Sequence, residues 1–233
     1  MSGSDYRMQW TLGLSVGVGA HGAAISLRPG EPGAAHLIGA FPTLTRAVSA
    51  AAAAAPEGPP ERVVLVHPAG FTAADLGREL GALGGAGLEV EDIVLRGDVE
   101  VLSATVRDRV VLIDADRDLL AGRLGRTEHF DADRLATLVA EDPFGTVVAL
   151  TGHPELRDRY HVAARDFAPM VVERPALAAL ALDNPGGSGL ASTPRRVGTL
   201  TENNRRVAAR LFLVLSAVLT AVILLGLMFA AGG

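Results

Sequence analysis

One order of elements occurs twice along this chain, and that repetition limits the fold more than any other feature. In the first half, Gln9–Val16 (QWTLGLSV) reads as a strand and Gly17–Gly19 as a tight turn. Ala23–Leu27 completes the hairpin, and Ala35–Ile38 is a short third strand. Leu44–Ala55 has strong helix propensity and stops at Pro56. Arg62–His67 (RVVLVH) is a nearly continuous apolar run, as in a strand covered on both faces of a parallel sheet. Thr72 and Asp75 have capping-box spacing; Leu76, Leu80 and Leu83 then recur on one helical face, and Gly84-Gly85 closes the helix. Glu91–Leu95 reads as a strand, so the first half is β-β-β-α-β-α-β. The second half begins with strands at Arg109–Asp114 (RVVLID) and Leu119–Leu124. A helix Ala132–Ala140 capped by Asp131, a buried strand Thr146–Thr151, a helix Glu155–Ala164, a strand Met170–Glu173 and a helix Pro175–Leu182 follow. The third strand of this half leaves no sequence signal.

The C-terminal end sets a different constraint. Leu211–Ala231 (LFLVLSAVLTAVILLGLMFAA) has no charged residue, and as a helix it would be about 30 Å long, the thickness of a bilayer's hydrocarbon core. Arg205, Arg206 and Arg210 precede it, so the positive-inside tendency keeps that flank in the cytoplasm. Ser216 and Thr220 have small-xxx-small spacing with Ala217 and Ala221, a pattern compatible with helix pairing but common by chance. The N-terminus, MSGSDYRMQW, has no signal-peptide core. The expected localisation is therefore the plasma (inner) membrane, single-pass, with the N-terminal domain cytoplasmic. The expected divisions are 1–97, 98–183, a Gly/Pro/Ser/Thr-rich linker 184–204 and a tail anchor 205–233.

Composition removes several functions. There is no cysteine, hence no disulfide, thiolate site or cysteine nucleophile. All 21 basic residues are arginine, which excludes a Schiff-base or P-loop lysine. The net charge of −5 and an aromatic content of 4% do not build a nucleic-acid surface, so no nucleic-acid partner is expected.

Two successive units of this order resemble the actin-like ATPases, and the local wording resembles their seventy-kilodalton heat-shock chaperone branch. VVLVHPAGF at Val63–Phe71, a helix, and AGLEVEDIVL at Ala86–Leu95 match that branch's strand, Pro-Ala-x-Phe, crossing helix and Ala-Gly-Leu-x-Val. Leu12–Leu27 is similar to its first phosphate hairpin, Val110–Leu120 to its second, and Val147–Leu156 to its adenosine strand and turn. The matches fall in the family's order across residues 10–182, without its outer subdomains or substrate-binding domain. The resemblance implies two RNase-H-like halves in tandem, an α/β fold, followed by the single transmembrane helix.

The site residues depart from the family pattern. The aspartate that opens the first phosphate hairpin is replaced by Ser15; Gly17 remains, but Val18 and Gly19 stand where the family has two hydroxyls. In the second turn Asp114 remains, while Ala115-Asp116-Arg117-Asp118 replaces glycines that would let backbone amides close on phosphate. Asp116 and Asp118 would repel a triphosphate. The adenosine turn keeps Gly152 between Thr151 and His153. Phosphoryl transfer depends on metal, positioning and electrostatics, so these losses predict no catalytic residue, no cofactor and no turnover.

Other constellations carry less. Asp114, Asp116 and Asp118 open like a calcium loop, but Leu119 and Gly125 stand where glycine and glutamate are needed. His67, His129, His153 and His161 have no ligand spacing, so no metal is expected; His67 reads as a core-edge residue. Ser15, His67 and Asp114 lack a nucleophile elbow, and Gly17-x-Gly19-x-x-Gly22 joins two strands rather than a strand and a helix. The expected function is a membrane-anchored, inactive actin-like domain that acts as accessory or scaffold of a secretion or envelope assembly. The alternative is a small tethered ATPase or nucleotide sensor. An unidentified membrane-complex protein is the expected partner besides the bilayer, and Asp116, Arg117, Asp118 and Arg123 are its candidate docking residues, against solvation of the turn as their plain role.

Overall fold

A computed structural model describes residues 9–28, 31, 33–89, 93–122 and 126–183. The first sheet is built from β1 (Thr11–Ser15), β2 (His21–Ser26), β3 (Ala35–Phe41), β4 (Arg62–His67) and β5 (Ile93–Gly97), in the spatial order β3-β2-β1-β4-β5. The second uses β6 (Arg109–Asp114), β7 (Leu119–Ala121), β8 (Thr127–His129), β9 (Thr146–Thr151) and β10 (Met170–Val171), in the order β10-β9-β6-β7-β8. Read from the hairpin side, the two orders are the same. In each, the first two pairings are antiparallel and the last two parallel. This is the repeated unit expected from the sequence.

The period-two alternation of the central strands assigns each face. Leu12, Leu14, Val63 and Leu65 point to one side of the first sheet, where they pack on α1 (Leu44–Ala54) and α2 (Ala73–Gly85) through Leu44, Ala47, Ala51 and Leu83. Val64 and Val66 point to the other side, against Val101 of α3 (Asp98–Val106) and Ala178, Ala181 and Leu182 of α6 (Arg174–Asp183). On the second sheet, Val111, Ile113, Val148 and Leu150 meet α4 (Ala132–Ala140) and α5 (Pro154–Ala163) through Leu135 and Tyr160. Val110, Leu112 and Ala149 face Val99 and Leu102 of α3 and Leu177 of α6. Helices α3 and α6 therefore lie between the sheets and lend an apolar side to each.

Several local expectations meet the structure closely. The Thr72–Asp75 capping box forms in both directions, and Asp131 accepts the backbone N–H of Arg134 at 2.8 Å. Helix α4 and strand β9 have the bounds read from the sequence. Others differ. β3 runs to Phe41 rather than Ile38, β7 stops at Ala121, and β10 ends at Val171. β8 is the third strand that left no signal, and α3 is a helix the sequence did not announce. Among the described residues no helix is long and apolar enough to cross a membrane; the run Leu211–Ala231, the linker and Arg123 lie outside them.

Candidate functional site

The C-terminal ends of β1, β6 and β9 converge with the starts of α3 and α6. In an open α/β architecture such an edge is where ligands bind. Arg174, the first residue of α6, stands at the centre. It is 4% exposed, and its Nη2 lies 3.6 Å from Asp114 Oδ1 and 3.4 Å from Asp116 Oδ2. Its Nε and Nη1 have no hydrogen-bond partner. A cation at a helix N-terminus opposes the helix dipole, so the two carboxylates also offset that cost.

The glycines of the first hairpin make room for this arginine. A Cβ on Gly17 would fall 2.7 Å from Arg174 Nε, and one on Gly22 would collide with the backbone of Arg174 and Pro175. Gly13 is equally tight, since a Cβ there would lie 2.5 Å from the Ala178 carbonyl oxygen. The start of α6 thus rests directly on the glycine face of β1 and β2. Gly19 takes φ 68° at the hairpin tip, a conformation open to glycine.

The second turn is tied into the same centre. Asp114 is buried and accepts the Asp116 N–H at 3.1 Å. Asp116 points inward as well; its Oδ1 accepts the His153 N–H at 2.6 Å. Gly152 lies against it at φ 126°, where a Cβ would approach the Asp116 nitrogen to 3.0 Å. Arg117 leans back over the Phe71 ring at 4.2 Å and donates to the Ala69 carbonyl at 3.4 Å. Asp118, half-exposed at φ 57°, accepts the Tyr160 hydroxyl at 2.7 Å and Arg159 at 3.2 Å. Ser15 is fully buried and its Oγ has no partner. The structure therefore gathers Gly17, Asp114 and Asp116 around Arg174, with Ser15 beside Gly22 in the hairpin, Gly152 against Asp116, and Asp118 facing α5.

Two residues of this centre escaped the sequence reading. Asp98 opens α3 and is fully buried; its Oδ1 accepts the N–H groups of Val99 at 2.7 Å and Ala69 at 3.1 Å, and its Oδ2 has no partner. Burial pushes its carboxyl up to about 6, against the pull of Arg174. Burial also raises Asp114, again opposed by Arg174. Arg174 itself precedes a proline at a helix start, and that misplaced cation was the one available signal that buried acids surround it. His67 is a core-edge residue, with its Nδ1 3.1 Å from the Pro68 carbonyl and its ring stacked on Phe71. Among the described residues, no group of three histidines or carboxylates is placed to hold a metal.

Beside this centre opens a cleft of about 510 Å³. Its walls are the first hairpin, the start of α1, the Pro68–Phe71 loop and α2, with Arg117 and Arg174 entering from the second half.

No protein-family model matches the chain, and no curated protein matches it. Solved structures similar to it include a Bacteroides thetaiotaomicron protein with an actin-like ATPase fold and unknown function, at 9% identity and TM-score 0.41, covering 74% of this chain and 94% of that one. A ROK family protein from Streptococcus pneumoniae in complex with sucrose is 13% identical with TM-score 0.39, covering 76% and 97%. A non-polymerising MamK mutant bound to AMPPNP is 12% identical with TM-score 0.36, covering 59% and 61%. At such scores it is the strand order of the two sheets, and not the superposition, that describes the architecture.

Proposed function

We propose that this chain is a membrane-tethered, catalytically inactive actin-like domain of the chaperone type that serves as an accessory or scaffold of a membrane assembly in secretion or envelope biogenesis. The observation that carries the inactive reading is Arg174. Its guanidinium lies against Asp114 and Asp116, where the resemblance would put the space between two phosphate turns. A metal–triphosphate seated between those turns would have to displace the guanidinium from its two carboxylates and bring its own negative charge against Asp114 and Asp116. The missing hairpin aspartate, replaced by the buried Ser15, points the same way. Tethering rests on Leu211–Ala231 and its arginine flank, with residues 1–204 on the cytoplasmic side. Of the candidate docking residues, Asp118 is half-exposed on the second turn, Arg117 is turned back over Phe71, and Asp116 is consumed inside.

The test uses the detergent-solubilised full chain. Calorimetry with magnesium and ATP should show no binding at sub-millimolar concentration, and no phosphate should be released. Turnover, or a melting shift of several degrees on adding nucleotide, would favour the nucleotide-sensor alternative, because a ligand selective for the folded state must stabilise it.

A further inference from the structure

We infer that the cleft beside Arg174 binds a compact organic oxyanion, a small carboxylate or a phosphate monoester, held by Arg174, Arg117, Arg78, His21 and the hydroxyls of Thr43 and Thr45. This rests on the reading that the chain does not turn over nucleotide.

The lining supplies the chemistry. Three arginines, Arg78, Arg117 and Arg174, and one carboxylate, Glu79, line the cleft, while Asp114 and Asp116 hold Arg174 Nη2 from behind. Arg174 is the decisive member. It is 4% exposed, it lines the cleft, and its Nε and Nη1 are without partners although Nη2 is paired. Two unsatisfied guanidinium N–H groups in a buried position leave a fork suited to an oxyanion. Arg117 is fixed from the other side by its stack on Phe71. Arg78 stands at the mouth, 70% exposed, and shares its charge with Asp75 at 2.6 Å and Glu79 at 3.9 Å, so it attracts rather than clamps. The His21 Nδ1 is buried without a partner. Burial first, and the charge of Arg174 second, hold that ring below its ordinary value, and in its Nδ1–H tautomer the imidazole can donate to a bound oxyanion. Thr43 caps α1, its oxygen accepting the Arg46 N–H at 3.3 Å, which leaves its own O–H free to donate. A volume of about 510 Å³ matches pockets for small ligands, and two half-site walls converge on it.

The test is calorimetry on the detergent-solubilised full chain at constant ionic strength, with inorganic phosphate in one arm and succinate in the other. At least one arm should give saturable binding in the millimolar range or tighter. Arg117→Gln should weaken it at least tenfold and Thr45→Val several-fold, with unliganded melting temperatures near wild type. The arm that binds identifies the source of the oxyanion. Absence of saturable binding in both arms, or binding unchanged by both substitutions, overturns the inference. ATP hydrolysis by the same preparation would instead overturn the inactive reading, and leaves oxyanion binding to be judged on its own arms.

Discussion

Replacing Asp98 by asparagine should make the protein more stable, and increasingly so as pH rises. Asp98 has a carboxyl value of about 6 in the folded chain against 3.8 when exposed. A group raised on folding contributes stability that is complete below the unfolded value and disappears as pH passes the folded one. The difference corresponds to about 3 kcal/mol lost by pH 7, roughly half of it already lost at pH 5. Asparagine keeps the oxygen that accepts from Ala69 and Val99 but carries no charge. Its amide N–H groups replace the unpartnered Oδ2 and add an offset that does not vary with pH. Chemical denaturation of the solubilised chain at pH 5, 6 and 7 should therefore show the advantage of Asp98→Asn growing by about 1 kcal/mol across that range. A constant difference, or one that shrinks, would refute the claim that a buried charge at this position is costly.

Other perturbations test the packing and the tether. Gly22→Ala pushes a methyl into the backbone of Arg174 and Pro175; overpacking of this kind costs about 1–3 kcal/mol, and the melting temperature should fall by at least about 2 °C. Tyr160→Phe removes the hydrogen bond to Asp118 and should cost about 1 kcal/mol by denaturant titration. Deleting residues 205–233 should release the remainder from membranes on ultracentrifugation; continued sedimentation would mean a second attachment. In affinity capture from solubilised membranes, Asp118→Asn should reduce partner recovery with little change in melting temperature, whereas Asp116→Asn should lower the melting temperature because it loosens Arg174.

The sequence was most legible where one residue pattern had one physical cause. β4, β6 and β9 are covered on both faces, so RVVLVH, RVVLID and TVVALT read as apolar runs with clear ends. Strand β8 is only three residues, Thr127-Glu128-His129, and its place comes from pairing with β7, not from its own composition. Helix α3 was hidden for another reason. It follows β5 without a break, and Val99, Val101, Thr105 and Val106 are β-branched, so the segment looks like continued strand. It is helical because both its sides are buried between sheets, where tertiary packing outweighs propensity. At the site, the turns were visible as departures from a motif. The arginine that fills the space between them was not, because it arrives from a distant segment and no spacing links it to either turn.

Helix α6 also has a consequence in time. The inner face of the first sheet, made by residues up to 97, is closed by a helix that ends at Asp183. During synthesis at about 5–20 residues per second, that face waits several seconds for its cover. The first half is therefore not a unit that matures alone. Until α6 docks, Ala24, Val64 and Val66 are partly open, and Asp114 and Asp116 lack their counter-charge. The slow step of folding should be the arrival of this last helix, and mutations along its seat on Gly13 and Gly22 should delay maturation more than equally costly changes on the outer face.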